Sequence, residues 1–262
     1  MANSALQVAR TGLDAQSERM RVIANNLANV NTTGFKRDRA DFETLAYQVM
    51  TAAGARSSGD NQYAVGLNLG TGVRLVGTSR ITSQGSINNT ENPLDLAIEG
   101  DGFFQISRPD GTTAYTRAGN FHRSNEGTLV TADGSPIQPQ IQIPENAQSI
   151  TIGADGTVSV TLPGQPELAE VGRLEIATFI NPAGLRALGG TLYAESSASG
   201  TPQVGPPAEE SRGAIRQGAL EASNVNVVQE LVDMIETQRA YEVNSKMVSA
   251  TDEMLRNANQ QL

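Results

Sequence analysis

The sequence contains no cysteine and no tryptophan among its 262 residues, and its only histidine is His122. Without cysteine, neither a disulfide framework nor a thiolate metal site can form. His122 has no second histidine or cysteine with which to share a metal, so we interpret it as an ordinary surface residue. We therefore expect no metal and no cofactor.

Clustered positive charge and long apolar runs are also missing. The net charge of -9 argues against a nucleic-acid partner, because phosphate binding depends on clustered lysine and arginine. No stretch approaches the roughly 18 consecutive apolar residues of a membrane span, and the N-terminus lacks the basic and apolar regions of a signal peptide. If the protein leaves the cytoplasm, we expect another export route.

No constellation of catalytic residues is evident in the sequence. The acidic residues Glu99, Asp101 and Asp110 lie close to glycines, a pattern more typical of hairpin turns than of paired catalytic carboxylates. A secreted β-rich hydrolase would need a pocket with convergent titratable groups, and this alternative stays open only as a minor one. We expect a protein that is not an enzyme.

Apolar residues recur every seven positions near the N-terminus. One position of this repeat holds Leu6, Leu13, Met20 and Leu27, and the position three residues further holds Ala9, Gln16, Ile23 and Val30. Alternating steps of three and four residues predict a helix with a coiled-coil seam. A capping box of Ser4 and Gln7 is predicted at its start, and Asn31 and Gly34 are predicted to adopt left-handed conformations at its end.

The C-terminal segment repeats this design over a longer span. Its seven-residue positions hold Val227, Met234, Tyr241, Val248, Leu255 and Leu262, and the second half of the predicted seam holds Leu231, Gln238, Ser245, Asp252 and Asn259. Asn226 and Gln229 can cap a helix that would extend roughly 50 Å. Because the second row is polar beyond Leu231, such a helix is poorly stabilised alone and favours association with copies of itself.

The middle of the chain changes to a period of two, which predicts strands. The alternating sets are Leu94, Leu96 and Ile98, then Ile141 and Ile143, then Val158, Val160 and Leu162. Asp-Gly or Glu-Gly turn signals at glycines 102, 111, 127, 134 and 156 predict short antiparallel hairpins. Segments 52–72 and 195–213 are expected to be connectors, extended or looped.

These patterns predict a mixed α and β protein. Long N- and C-terminal helices would form a coiled-coil-like stem, and an antiparallel β-rich body would be inserted between them. The predicted parts are an N-terminal assembly helix over 1–34, an extended connector over 35–71, the β-rich body over 72–220 and a C-terminal assembly helix over 221–262. The candidate assembly interface consists of Leu6, Leu13, Met20, Ile23, Leu27, Val30, Val227, Leu231, Met234, Tyr241, Val248 and Leu255.

Four segments resemble the flagellar rod and hook protein family. They are ANNLANVNTTGFK at 24–36, DLAIEGDGFFQI at 95–106, YTRAGNF at 115–121 and SNVNVVQELVDMIETQRAYEVNSK at 223–246. The family motif comprises Asn25, Asn26, Leu27, Asn29, Gly34, Phe35 and Lys36. The resemblance extends over nearly the whole chain and is greatest to subunits of the distal rod of the basal body.

The resemblance implies a structural role in a rigid helical tube that transmits motor torque to the hook. The partners it implies are copies of this chain, proximal rod subunits, hook subunits, the peptidoglycan and outer-membrane ring proteins, and the flagellar type III export apparatus. It also implies a basal-body location spanning the periplasm, reached without a cleaved signal peptide. Within the family, the alternatives are a proximal rod subunit and a hook subunit. Segment 47–66 favours the distal rod over these alternatives, because it resembles a stretch that distinguishes distal rod subunits from hook subunits.

Overall fold

A computed structural model describes residues 2–58, 61–164 and 168–260, and these residues form two compact units. The first unit combines both terminal helices with residues 38–79. The second unit consists of residues 29–37 and 80–225. The chain therefore passes from one unit to the other four times.

The first unit contains two long helices and a set of short strands. Its elements are α1 (Ala2–Ala28), β1 (Asp38–Thr44), β2 (Gln48–Thr51), β3 (Arg56–Ser58), β4 (Asn61–Gln62), β5 (Leu67–Leu69), β6 (Val73–Arg80, whose last residue belongs to the second unit) and α2 (Val227–Gln260). Strand β1 pairs with β6, β2 with β5, and β3 with β4. Part of the segment predicted to be a connector is therefore a pair of nested antiparallel ribbons.

Helix α2 begins where the sequence predicted. The side-chain oxygen of Asn226 accepts hydrogen bonds from the backbone N–H groups of Val228 and Gln229, at 3.0 and 3.2 Å, which satisfies two of the donors left free at a helix start. The side chain of Gln229 donates to Asp233. With 34 residues, α2 extends about 51 Å at 1.5 Å per residue.

The predicted limits of α1 were partly wrong. The helix begins at Ala2, so the backbone of Ser4 lies within the first turn and not at the cap. It ends at Ala28, where a turn closed by the bond from Thr32 N–H to the Asn29 carbonyl follows. Gly34 has the predicted left-handed conformation, with φ of 69°, but Asn31 does not.

The second unit is built from short strands joined by tight turns. Its elements are β7 (Ile87–Asn89), β8 (Leu96–Glu99), β9 (Phe103–Ser107), β10 (Thr113–Thr116), β11 (His122–Arg123), β12 (Leu129–Val130), β13 (Ile137–Gln138), β14 (Ser149–Ile152), β15 (Thr157–Thr161), β16 (Ala169–Arg173), β17 (Ile176–Thr178), a 3₁₀ turn (Pro182–Gly184), β18 (Arg186–Gly189), β19 (Leu192–Ala194), β20 (Gln203–Gly205), β21 (Ala214–Gln217) and β22 (Ala219–Glu221).

A seven-stranded sheet forms the centre of this unit. Its strands follow the order β18-β19-β10-β9-β17-β20, and β13 also pairs with β9. Strands β14, β15 and β16 form a separate three-stranded sheet, and β21 and β22 pair with β8 and β7. Every predicted turn glycine has a positive φ, which explains why glycine occupies those positions.

The main core cluster of the second unit is aliphatic, apart from an edge-to-face pair of Phe104 and Phe121, and a smaller buried cluster is mainly aromatic, with Phe103, Tyr115 and Tyr193. Two details of the strand prediction were wrong. Leu96, Ala97 and Ile98 are all buried, so β8 is covered on both faces and shows no alternation. Ile141 and Ile143 are buried but belong to an irregular segment with one bridge, between Gln142 and Thr128. The segment predicted as a second connector contains β20, which pairs with β17.

Candidate assembly surfaces

The two helices of the first unit pack against each other in antiparallel directions. The Asn26 side chain donates to the Glu230 carboxylate at 3.2 Å, near the end of α1 and the start of α2. Fourteen residues further along each helix in opposite directions, a Cβ on Gly12 would lie 3.0 Å from the Asn244 side-chain nitrogen. The absence of a side chain at Gly12 lets the helices approach closely at that point.

Asn26 connects three elements of the first unit. In addition to its bond with Glu230, its side chain donates to the Asp38 carbonyl at 2.9 Å and accepts from the Asp38 N–H at 3.0 Å. Asn26 and Glu230 are both buried, so these bonds replace the water that each polar group loses on folding. The amide of Asn26 thereby fixes α1 against α2 and against the start of β1.

The buried side of α2 differs from the seam that the sequence predicted. Glu230 and Thr237 are buried and Asn244 faces Gly12, whereas Leu231 is exposed. These polar residues lie three positions after Val227, Met234 and Tyr241, and the predicted row lay four positions after them. Residues three positions apart and residues four positions apart are both neighbours on a helix surface. The contact within this chain uses the more polar of the two rows.

The predicted interface residues vary widely in exposure. In α1 the side chain of Ile23 is buried, while Leu6, Leu13, Met20 and Leu27 are half-buried along one edge of the helix. In α2 the half-buried residues are Met234 and Val248, and the exposed ones are Val227, Leu231 and Tyr241. Val30 is half-buried in the second unit. The side chain of Leu255 and the whole of Leu262 lie outside the described residues.

An exposed apolar face runs along α2, opposite its buried side. We call it the outer face of α2, and it consists of Val228, Val232, Ile235, Val243, Met247 and Met254. Steps of three, four, seven and eight residues place these side chains on one side of the helix. The sequence analysis missed this face because it followed only the strict seven-residue repeat. A count of apolar residues on every side of the helix would have revealed it.

A second exposed apolar surface belongs to the ribbon of β2 and β5. Tyr47, Val49, Met50, Val65 and Leu67 all point largely to solvent, and Val65 is 80% exposed. Exposed apolar side chains of this kind make the ribbon a candidate contact surface. Strand β2 and Val65 fall within segment 47–66, which the sequence had singled out, and β5 begins directly after it.

The end of the family motif lies in the second unit, in a buried ionic cluster. The Lys36 ammonium is 2.5 Å from one oxygen of Glu221, and an Arg117 nitrogen is 3.2 Å from the other oxygen. These side chains are only 2%, 0% and 4% exposed. Burial lowers the pKa of Lys36 and the pKa of Arg117, and the nearby Glu221 carboxylate partly offsets both effects.

Backbone groups add further hydrogen bonds to this cluster. Glu221 also accepts from Gly85 N–H at 2.9 Å, and Lys36 also donates to the Ser83 carbonyl at 2.8 Å. Arg117 donates to the carbonyls of Ile98 and Gly100, at 3.3 and 2.6 Å. The sequence analysis named Lys36 but missed Glu221. No local signal connects the two, because they are 185 residues apart in sequence.

The remaining features give no indication of catalytic chemistry. His122 is exposed, at the start of β11. Within residues 2–58, 61–164 and 168–260, no group of histidine, cysteine or acidic residues could hold a metal ion. In the same residues, neither helix is long and apolar enough to cross a membrane. A groove of about 440 Å³ beside Lys36 and Arg117 has a mixed lining that includes Asp101, Phe179 and Ile180.

Three family models match the chain. Residues 6–36 match "Flagella basal body rod protein", residues 97–160 match "Flagellar hook protein FlgE/F/G D1 domain", and residues 216–261 match "Flagellar basal body rod FlgEFG protein C-terminal". The first and last models cover most of α1 and nearly all of α2. They also include Asn26, Lys36, Glu221 and Glu230, four of the residues that organise the contacts described above.

Curated relatives match the chain over almost its full length. The flagellar basal-body rod protein FlgG of Buchnera aphidicola subsp. Schizaphis graminum is 51% identical over 255 residues, covering 97% of this chain and 98% of the relative. FlgG of Caulobacter vibrioides is 47% identical over 257 residues and covers 98% of each chain. FlgF of the same organism is 36% identical over 248 residues, covering 92% of this chain and 90% of the relative.

Proposed function

The chain belongs to the flagellar basal-body rod and hook protein family, and from that premise we propose that it is a subunit of the distal rod. The family is structural, so the protein is a component of the flagellum and not an enzyme. In our proposal, copies of the chain assemble into a rigid helical tube that transmits motor torque to the hook. The higher identity to relatives named FlgG than to the one named FlgF supports a position in the distal part of the rod.

The observation that carries the proposal is the outer face of α2. Val228 is 72% exposed, and the other five residues of this face are also exposed. An isolated helix gains little from apolar residues in water, whereas burial of each such side chain contributes on the order of 1.5–3 kcal/mol. The apolar face would therefore be stabilising only when another molecule covers it.

We infer that the covering molecule is a neighbouring copy. The edge of α1 formed by Leu6, Leu13, Met20 and Leu27 is only half covered within the chain and also forms an apolar row along one side of its helix. Helix α1 carries three arginines and two acidic residues, whereas α2 carries six acidic and three basic residues. Net charges of +1 and -3 favour contact between α1 of one copy and α2 of the next.

Contact between two different surfaces also accounts for continued growth. When unlike patches meet, each added copy presents a fresh patch to the next one, and the assembly extends as a helix unless it closes into a ring. We propose that the exposed ribbon of β2 and β5 makes further contacts between copies and stiffens the tube. Close packing of long helices resists deformation, which suits a shaft under torque.

The proposal keeps the predicted organisation of the chain. Residues 1–34 and 221–262 act as assembly segments, 35–71 as the extended connector with the distal-rod-like stretch, and 72–220 as the β-rich body. The protein assembles with other rod and hook components of the basal body. We further propose proximal rod subunits, hook subunits and the peptidoglycan and outer-membrane rings as neighbours, with the rod spanning the periplasm after type III export.

A charge placed on the outer face of α2 tests the proposal. Ile235→Asp should prevent incorporation into rods, because a carboxylate buried between subunits lacks a partner. The purified variant should keep the circular dichroism of the β-rich body. Ser245→Asp, an equal charge at an exposed polar position of the same helix, should assemble. Normal rods and normal swimming with Ile235→Asp would refute the proposed contact.

The position within the flagellum is tested by imaging. A tagged copy of the chain should appear along the distal part of the rod in electron micrographs of purified basal bodies. Label confined to the proximal part, or to the hook, would support the alternative members of the family.

A further inference from the structure

The second unit holds its chain entry and exit points together at one place. The chain crosses between units after residues 28, 37, 79 and 225. On the second unit, the crossings after residues 37, 79 and 225 lie next to three short segments, 34–37, 81–86 and 221–224, and the crossing after residue 28 leads through residues 29–33 into the first of them. Any force passed along the chain into this unit must arrive through residues next to these segments, because covalent connections exist nowhere else.

The three segments are hydrogen-bonded to one another. Gly34 N–H donates to the Glu221 carbonyl at 2.8 Å, and Ile81 N–H donates to the Arg37 carbonyl at 2.9 Å. The Asn224 side chain donates to the carbonyls of Ile81 and Ser83, at 2.8 and 3.0 Å, and accepts from Arg37 N–H at 2.8 Å. Each segment is thus bonded to both of the others.

The three bonded segments form what we call the junction of the second unit, and the ionic cluster connects this junction to the rest of the unit. Glu221 accepts from Lys36 in one segment and from Gly85 N–H in another, so a single carboxylate joins all three. Arg117 binds the same carboxylate and, through Gly100 and Ile98, the end of β8. Such a cluster is an inefficient source of stability, since a buried ion pair loses hydration that an apolar core would not. Its short, directional bonds are better suited to holding the three segments in fixed positions relative to one another.

We propose that Lys36, Glu221 and Arg117 form a mechanical clamp that makes the junction of the second unit respond as one piece under torque. The role of the clamp in transmitting torque rests on the proposed function. The bonds that form the clamp are present in the isolated chain. Torque applied to any one crossing is shared among the three segments and the body. Without the central carboxylate, only the backbone bonds and the Asn224 side chain would join the three segments, and their connection to Arg117 would be lost.

Hydrogen exchange of the full-length monomer, followed by mass spectrometry, tests the clamp directly. In Glu221→Gln, amides in 34–37, 81–86 and 221–224 should all exchange faster, by about 10-fold or more, because local opening is no longer opposed by the shared carboxylate. Glu99→Gln is the matched control, since Glu99 pairs with Arg216 at 2.9 Å on the exposed surface. This control should leave the three segments unchanged. Faster exchange confined to 221–224, or equal effects in the control, would overturn the clamp.

A milder variant covers the case in which Glu221→Gln does not fold. Lys36→Met keeps Glu221 paired with Arg117, and exchange in 81–86 should rise together with that in 34–37, because Lys36 also holds Ser83. A change limited to 34–37 would contradict the proposal.

Swimming under load supplies the functional readout. Cells with Lys36→Met should build complete rods and swim like the parent in dilute medium, but should lose more speed than the parent as viscosity rises. If cells with Lys36→Met swam at the parental speed at every viscosity, the clamp would have no part in torque transmission. If the unmodified chain were absent from purified basal bodies, the proposed function would fail, while the exchange experiment would still decide whether the clamp exists.

Discussion

The charge count of the buried cluster leads to a specific prediction about stability. Two cations, Lys36 and Arg117, share the single buried carboxylate of Glu221. Glu221→Gln leaves both cations buried without that carboxylate. Because removing one partner of a buried ion pair typically costs about 3–5 kcal/mol, we expect a loss of that order in the free energy of unfolding.

Lys36→Met should be much less harmful, although it removes a charge from the same cluster. Glu221 remains paired with Arg117 at 3.2 Å and still accepts from Gly85 N–H. The main loss is the hydrogen bond to the Ser83 carbonyl, which still accepts from the Asn224 side chain at 3.0 Å, and a hydrogen bond to a charged group contributes about 1.5–3 kcal/mol. We therefore expect Glu221→Gln to be more destabilising than Lys36→Met by about 2 kcal/mol.

Urea unfolding of the two variants measures this difference. Tyr115 and Tyr193 are buried in the second unit, whereas the other three tyrosines are exposed in the first unit. With no tryptophan in the chain, the change in tyrosine fluorescence on unfolding therefore comes mainly from the second unit. Glu99→Gln should cost under about 1 kcal/mol, as expected for an exposed pair. If Glu221→Gln and Lys36→Met lowered the free energy of unfolding equally, or Lys36→Met lowered it more, the prediction from the charges of the cluster would be refuted.

Three further predictions follow from single contacts or charges. Gly34→Ala should lower the melting temperature sharply, because a Cβ there would lie 2.5 Å from the Ala118 nitrogen at a left-handed φ; an unchanged value would contradict it. Asn226→Ala should weaken polymerisation by about 1 kcal/mol per subunit, because α2 loses its cap when it forms on assembly; an unchanged critical concentration would contradict it. The Lys36 pKa lies below its ordinary 10.5, so the unfolded state holds the extra proton between the two values, and stability should rise with pH there. In Lys36→Met, stability measured over a series of pH values should no longer show that rise. A rise that persisted would have to come from another titrating group.

Several parts of the fold could be predicted from the sequence because they depend on local geometry. The cap of α2 at Asn226, the length of that helix and the positive φ of the turn glycines all follow from neighbouring residues. Hairpins such as β9 with β10 and β14 with β15 followed from the same turns. Local predictions also failed at α1, where Ser4 lies inside the helix and Asn31 is not left-handed.

The errors arose where distant parts of the chain meet. Strand β8 was expected to alternate, but contacts on both sides bury Leu96, Ala97 and Ile98 alike. The buried side of α2 could not be identified because that helix carries apolar residues on more than one side. The partners of Lys36 are Glu221 of β22 and the Ser83 carbonyl, and no periodicity connects positions so far apart.

The state of the terminal helices before assembly is a further prediction of the account. Polar residues on the buried side of α2, among them Glu230 and Thr237, offer little apolar area for the helices to bury against each other. We expect the helices to be largely disordered in the dilute monomer, with circular dichroism showing a gain of helix on polymerisation. Full helicity in the monomer would count against this expectation.

The central claim is that a second copy of the chain covers the outer face of α2, and cysteine labelling tests it most directly. Because the natural sequence has no cysteine, Val232→Cys introduces a single reactive thiol on that face. We predict rapid maleimide labelling of the monomer, strong protection in assembled rods and full labelling again after the same rods are dissociated. Equal labelling rates in monomers and intact rods would show that this face stays open to water, and would contradict the account.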